Sequence, residues 1–341
     1  MDYVTIKDVA KRLNLSISTI SRAFNDKYDI RSETKELVLR TANEMGYHPN
    51  PMAKKLTQKR SFNIGIVVPE FINSFFTEVI MGAQEVLFAK GYQVLITQSN
   101  ESFETELKNV KSLEDSMVDG LIISLSCETK NTDYYQKLLG KGLPIVFFNR
   151  VSSKLNASKI LFNDYKWAFF ATEHLILQGY KNIVHLEGIN TLTLSLERSR
   201  GFKDAHKKYK IELKKEQFVK TGFNIVDGEK VAKSMIETNK IPDAIFASCD
   251  PPAIGAMKVF KKHGFKIPED IAFVGFTESK MASHIDPPLT SVKQPAHDIG
   301  TEAAKMLLAQ IEDPKAFIPQ TIILNGTLNV RESSVKLSSS L

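Results

Sequence analysis

Apolar residues recur with a helical period over the first fifty positions. Ile6, Val9, Ala10 and Leu13 stand at i, i+3, i+4 and i+7, the stripe of a helix buried on one side. Thr5 precedes that stripe as its cap, and Asp8 three residues later completes a variant of the capping box. A second helix is expected after Leu15, capped by Ser16 and burying Ile20, Ala23 and Phe24. A third has Ser32 as its cap, repeats Val38, Ala42 and Met45, and stops at Gly46. From Phe62 the pattern changes to short β-branched runs between amphipathic helices. FNIGIVVP, GYQVLITQ, VDGLIIS and LPIVFFN read as buried strands, with helices near 74–90, 104–116 and 131–141. A second set is expected to begin with KILFND and to continue through KNIVHLEG, EQFVKTG, DAIFASCD and DIAFVGF. Strand and helix alternating in this way give parallel sheets covered on both faces, here as two doubly wound lobes. PPLTSVKQ and a final strand in QTIILNGTLNVRESS carry the chain between the lobes, and VKLSSSL reads as a frayed tail.

These patterns divide the chain into a helical segment at 1–48, a linker at 49–61, an α/β body at 62–334 and a tail at 335–341. Charge sharpens the division. Residues 1–61 carry twelve Lys/Arg against seven Asp/Glu, so they hold +5 of the chain's net +6. A local basic surplus points to a polyanionic partner for that segment alone, against the plainer reading of a merely soluble surface. No apolar run is long enough to span a bilayer, and the N-terminus lacks the apolar core of a signal peptide. The two cysteines, Cys127 and Cys249, are far apart and have no metal-type spacing. A reducing cytoplasm is the expected location, with no membrane association.

The exposed face of the second helix reads Ile17, Ser18, Ser21, Arg22, Asn25. A purely solvated face is normally furnished with long charged side chains. Short hydroxylated residues instead allow a helix to approach base edges in a major groove. There Ser18 and Ser21 can exchange hydrogen bonds, Ile17 can touch a thymine methyl and Arg22 can grip guanine. Three short helices with a tight turn at Asn14–Leu15 fit a helix-turn-helix module. The alternative is a small three-helix bundle that binds a protein. The following HPNPMAKKLTQKRS places Asn50 as cap of a two-turn helix through Ala53 and Leu56, too short to be stable alone. Lys54, Lys55, Lys59 and Arg60 suggest DNA as the partner that would hold it, with Leu56 as a wedge between base pairs. Off DNA the same segment reads as a flexible basic linker.

VTIKDVAKRLNLSISTISRAFN and TANEMGYHPNPMAKKL together resemble the headpiece and hinge of the LacI/GalR family of bacterial transcription regulators. The resemblance implies that Ile17, Ser18 and Arg22 read bases. It implies that Thr5, Ser16, Thr19, Ser21, Asn25, Tyr47 and Asn50 hold phosphates or fix the register. Ala53, Lys54 and Leu56 belong to a hinge helix that enters the minor groove, with Lys54 standing where the family more often has Arg. It further implies a homodimer on a pseudo-palindromic double-stranded DNA operator and a periplasmic-binding-protein-like body whose cleft takes an effector, a sugar or sugar derivative.

Strand ends locate that cleft. Phe75 and Phe76 follow the first strand, Asn149 and Arg150 end the fourth, and Phe162, Asn163 and Asp164 end the strand expected to open the second lobe. ERSRGF resembles the family's Arg-x-x-Gly-Phe signature and marks Arg198 as an effector contact; Phe223 stands where the family often has an aromatic wall. Core packing is the plainer reading of each Phe taken alone. CDPPAIGAM carries Cys249 where the family has Asn and retains Asp250, read either as an effector contact or as a helix cap. VGFTES carries Thr277 and Glu278 where the family has two Asp. The lost Asn and Asp commonly bind sugar hydroxyls in the family. Their absence widens the candidates to an acidic sugar, a phosphorylated sugar, a central metabolite or a protein partner. The chain shows no P-loop spacing, no metal-type pairing of His174, His185, His206, His263, His284 or His297 and no Gly-x-Ser-x-Gly elbow. The expectation is a regulator without cofactor or metal, with a sugar-acting enzyme as the remote alternative.

Overall fold

The computed structural model describes residues 4–24, 30–47 and 60–336. The chain forms two compact units, residues 1–62 and 63–341. In the first, α1 (Ile6–Leu13), α2 (Ile17–Phe24) and α3 (Ser32–Glu44) surround a core of Val9, Ala10, Ile20, Ala23, Val38, Ala42 and Tyr47. Asp8 Oδ2 accepts from Thr5 N at 2.8 Å and from Thr5 Oγ1 at 2.6 Å, fixing the start of α1. Asn14 takes the left-handed conformation (φ 51°) that ends α1, one its short polar side chain tolerates. Ser16 Oγ then accepts from Thr19 N at 3.1 Å, capping α2 two residues after α1's C-cap. Ser32 is not the cap of α3: it is already helical, and Arg31 holds the cap position without a side-chain bond. Gly46 (φ 69°) lets Tyr47 N reach back to Ala42 O at 2.8 Å, closing α3.

The second unit contains two parallel α/β lobes. The first sheet has strands β1 (Asn63–Val68), β2 (Gln93–Gln98), β3 (Gly120–Ile123), β4 (Ile145–Phe148), β5 (Ser158–Phe162) and β11 (Thr321–Leu324), in the order β11-β5-β4-β3-β1-β2. Helices α4 (Ser74–Ala89), α5 (Phe103–Asp115), α6 (Asp133–Gly140) and α11 (Ala296–Glu312) belong to this lobe. The second sheet runs β12-β10-β9-β8-β6-β7, from β6 (Ile183–Glu187), β7 (Phe218–Lys220), β8 (Ala244–Ala247), β9 (Ala272–Phe276), β10 (Thr290–Lys293) and β12 (Thr327–Asn329). Its helices are α7 (Asp164–Leu177), α8 (Thr193–Lys208), α9 (Ile225–Glu237) and α10 (Asp250–Lys262). Central strands such as β3, β4, β8 and β9 are buried along their whole length, which is why they read as unbroken apolar runs.

One strand changes lobes relative to the sequence reading. KILFND forms β5, and β5 lies in the first sheet between β4 and β11, with Val146 opposite Ser158 and Ile160 opposite Ile322. An apolar run at a lobe boundary can pair with either sheet; hydrogen bonds such as Asn149 N to Ile160 O (3.0 Å) decide for the first. The chain enters the second lobe only at Asn163–Asp164, where α7 begins. It returns between β10 and α11. The expected last strand is split at Asn325–Gly326 into β11 in one sheet and β12 in the other.

Candidate functional site

Two places gather the residues singled out from the sequence. On α2, Ile17 is 46% exposed, Ser18 and Arg22 are exposed, and Thr19 and Ser21 are half-buried. Ser16 Oγ lies 2.7 Å from Ser18 Oγ and 2.8 Å from Thr19 Oγ1, a hydroxyl cluster at the helix N-terminus. Backbone N–H groups and hydroxyls at such a terminus suit a phosphate. Thr5, by contrast, has its hydroxyl engaged with Asp8. The Tyr47 ring packs edge-on against Phe24 with centroids 5.5 Å apart, and burial pushes its phenol up. Asn25, Asn50, Ala53, Lys54 and Leu56 lie outside the described residues, as do most of the hinge segment and most of the tail.

The second place is a cavity between the lobes, at the carboxyl ends of the strands. Asn73, Phe75, Phe76, Asn149 and Arg150 line it from the first lobe; Leu194, Arg198, Phe223, Cys249, Thr277 and Gln294 line it from the second. Its volume is about 30 Å³. That is space for about one or two waters and far less than a sugar ring requires. In both sheets the order in which successive strands are added reverses, between β1 and β3 in the first and between β6 and β8 in the second, and such switch points are where open α/β sheets bind ligands.

Arg198 is almost wholly buried. Its Nε donates to Asp164 Oδ1 at 2.8 Å, Nη2 reaches the same oxygen at 2.6 Å, and Nη1 donates to Ser248 O. Its Cζ stands 3.9 Å from the centroid of Phe276. Arg150 donates through Nη1 to both carboxylate oxygens of Glu101, at 2.5 and 2.7 Å. Its guanidinium lies 5.6 Å from the ring of Phe76 in one lobe and 5.3 Å from that of Phe223 in the other, so it bridges the lobes. Asn73 Oδ1 accepts from Phe75 N at 3.0 Å, capping α4 and setting both Phe rings at the wall. Thr277 Oγ1 and Gln294 Nε2 are buried at the cavity without a protein partner. Thr277 also has φ 96°, a conformation a β-branched residue rarely adopts.

Two of the expected effector residues are not in the lining. Phe162 packs edge-on against Phe276 with centroids 5.8 Å apart, in the core beneath Arg198. Asp250 is fully buried, accepting from Ser291 Oγ at 2.6 Å and from Ser279 N. It ties the start of α10 to the loop after β9, and burial pushes its carboxyl up to about 7. The fixed loop carries Thr277, so Asp250 positions the cavity wall without forming it. Among the remaining expectations, Phe75, Phe76, Asn149, Arg198, Phe223 and Thr277 are brought together. Sequence reasoning passed over Asn73, Leu194 and Gln294. Gln294 follows the end of β10, and the strand-end rule would have found it.

Residues 5–50 match the bacterial regulatory proteins, lacI family, and residues 172–334 match a periplasmic binding protein-like domain. The ribose operon repressor of Halalkalibacterium halodurans is 32% identical over 335 residues, 97% of this chain and 98% of that protein. The chain belongs to the LacI family. Family members are transcriptional regulators, not enzymes, and this chain is a DNA-binding repressor of that kind with a helix-turn-helix headpiece and two parallel α/β lobes. Among solved structures, the transcriptional regulator CelR in complex with cellobiose is 26% identical, with a TM-score of 0.74 over 97% of this chain and 99% of that one. The lac repressor dimer bound to operator and the anti-inducer ONPF shares the fold, with a TM-score of 0.86 at 24% identity, covering 98% of this chain and 100% of that one. Among the described residues no helix is long and apolar enough to cross a membrane.

Proposed function

We propose that this LacI-family repressor is controlled by a small molecule, a sugar or sugar derivative, bound in the interlobe cavity. The observation that carries the reading is the pair of buried, unpartnered groups there, Thr277 Oγ1 and Gln294 Nε2, beside the Phe75, Phe76 and Phe223 rings. Buried polar groups normally find partners, and an orphaned pair at a wall of aromatic faces fits a ligand that is polar at its rim and apolar on its faces. CelR with cellobiose and the ribose operon repressor are similar proteins whose names tie them to sugars. At about 30 Å³ the cavity admits such a ligand only if the lobes part. That motion gives the ligand its differential affinity for two arrangements of the body.

On this reading α2 contacts the operator through Ile17, Ser18, Ser21 and Arg22. Two copies read a pseudo-palindromic site, and residues 49–61 carry the change in the body to the headpieces. The exposed apolar groups Ile72, Val226 and Met281 border a groove of about 570 Å³ and are the face on which a second copy would pack. Genome-wide mapping of bound sites, with thermal-shift screening of sugars, tests the reading. A few palindromic sites beside one sugar-utilisation cluster and a melting shift with its sugar are expected. Many scattered sites with no small-molecule response would support a global regulator answering to a protein partner.

A further inference from the structure

The charged side chains that line the cavity are of one sign, and the carboxylates that pair with them lie behind the wall. Two cations, Arg150 and Arg198, reach it, and among the described residues no carboxylate lines it. Asp164 is turned onto Arg198, Glu101 onto Arg150, and Asp250 onto Ser279 and Ser291, while Glu70, close enough to act on Arg150 and Cys249, lines the neighbouring groove. The Cys249 thiol is pushed up by burial and is neutral. Three helices also begin at this wall. Asn73, Phe75 and Phe76 mark the start of α4, Leu194 that of α8, and Cys249 caps α10. Neither α8 nor α10 has a side-chain cap. Their positive dipole ends are left facing the same small volume. Pro251 and Pro252 remove two N–H groups from the first turn of α10, so that helix contributes field more than hydrogen bonds. Independently of the dipoles, the amide nitrogen of Gln294, a residue only 4% exposed, lines the cavity without an acceptor.

A neutral sugar hydroxyl both donates and accepts, and a site built for it needs acceptors in similar number to donors. This wall has neutral acceptors in Asn73, Asn149, Thr277 and Gln294, but its charged groups are donors alone and its fully orphaned amide nitrogen is a donor too. Building on the proposed effector reading, we infer that the effector is a small polyhydroxylated anion whose charged group sits against Arg198, Gln294 and the starts of α8 and α10. The Arg198 guanidinium, tied to Asp164 and Ser248 O, has one further hydrogen on each of Nη1 and Nη2 for a charge-assisted bond to the ligand. Gln294 supplies a neutral donor, and the Phe rings cover the carbon skeleton.

Calorimetry on the full-length protein with matched pairs tests this: galacturonate against galactose, glucuronate against glucose, and ribose 5-phosphate against ribose. At least one anion is expected to bind, with its neutral partner weaker by a factor on the order of ten or more. Which anion binds distinguishes a carboxylate from a phosphate. Thr277→Asp, which adds a like charge at a backbone conformation that Asp tolerates better than Thr, is expected to abolish the anion's advantage. Gln294→Leu is expected to reduce it while leaving the melting temperature near wild type. Tighter or equal binding of a neutral sugar overturns the charge assignment and leaves the effector reading standing. Binding of no member of any pair, with a neutral sugar raising the melting temperature in the wider thermal-shift screen, overturns the charge assignment alone; silence in that screen as well overturns both.

Discussion

Arg198 and Asp164 form a buried ion pair that joins α8 to the first residue of α7, with Nε to Oδ1 at 2.8 Å and Nη2 to the same oxygen at 2.6 Å. The pair has a structural duty as well as a place at the cavity. Arg198→Met removes the cation and leaves the Asp164 carboxylate buried, so a loss of about 3–5 kcal/mol in unfolding free energy is expected. The double variant Arg198→Met with Asp164→Asn should recover much of that loss. Urea denaturation of the three variants checks both statements. A single variant as stable as wild type would show that the pair contributes nothing to the fold.

Arg22 stands exposed on α2, four residues and about one turn beyond Ser18 of the hydroxyl cluster. Arg22→Ala should cost about 1–3 kcal/mol of affinity for the specific operator while weak binding to random DNA survives. Gel-shift titrations at one fixed salt concentration measure both. Equal losses on the two DNAs would assign Arg22 to the phosphate backbone.

His185 lies between the rings of Phe202 and Phe246, at centroid distances of 5.1 and 4.8 Å, and contacts Phe246 O and Ser199 Oγ. Burial depresses its pKa from 6.5 to about 4. The unfolded chain protonates this ring at a higher pH than the folded chain does, so the unfolded state binds more protons across that window. Stability is therefore expected to fall as pH drops from about 6.5 to about 4, by on the order of 3 kcal/mol from this group. In His185→Leu, the fall over the same range should be shallower. Melting curves at several pH values decide it, and parallel profiles for the two proteins would remove the assignment.

Gly275 has no room for a side chain, because a Cβ there would fall against Asp250 Oδ1 and Leu289. Gly275→Ala should push Asp250 away from Ser291 and Ser279 and destabilise the body by about 1–3 kcal/mol. Calorimetric melting measures the loss. The loop bearing Thr277 should loosen as well, seen as faster amide exchange after β9 than in wild type.

Much of this architecture was legible along the chain because its signals are local. Asn14 and Ser16 announce the turn between α1 and α2 through their own conformational preferences, and the apolar period alone located most strands of both lobes. Strand ends located much of the cavity wall, since the carboxyl ends of parallel strands converge at the switch point. The Gly in the Arg-x-x-Gly-Phe signature also has a local reading and a tertiary cause: a Cβ at Gly201 would strike the backbone of α7.

What the sequence by itself determined was the set of elements, the division into headpiece and body, and the face of α2. These depend on interactions within a few residues or on a periodic stripe. Pairing partners depend on contacts distant in sequence, and only the tertiary structure decided them. It put β5 in the first sheet and divided the last strand between both sheets. It turned Asp250 inward to Ser279 and Ser291, drew Phe162 under Arg198, and set Arg150 between Phe76 and Phe223. A residue type specifies which bonds it can make, and the packed chain selects the partner that desolvation leaves within reach.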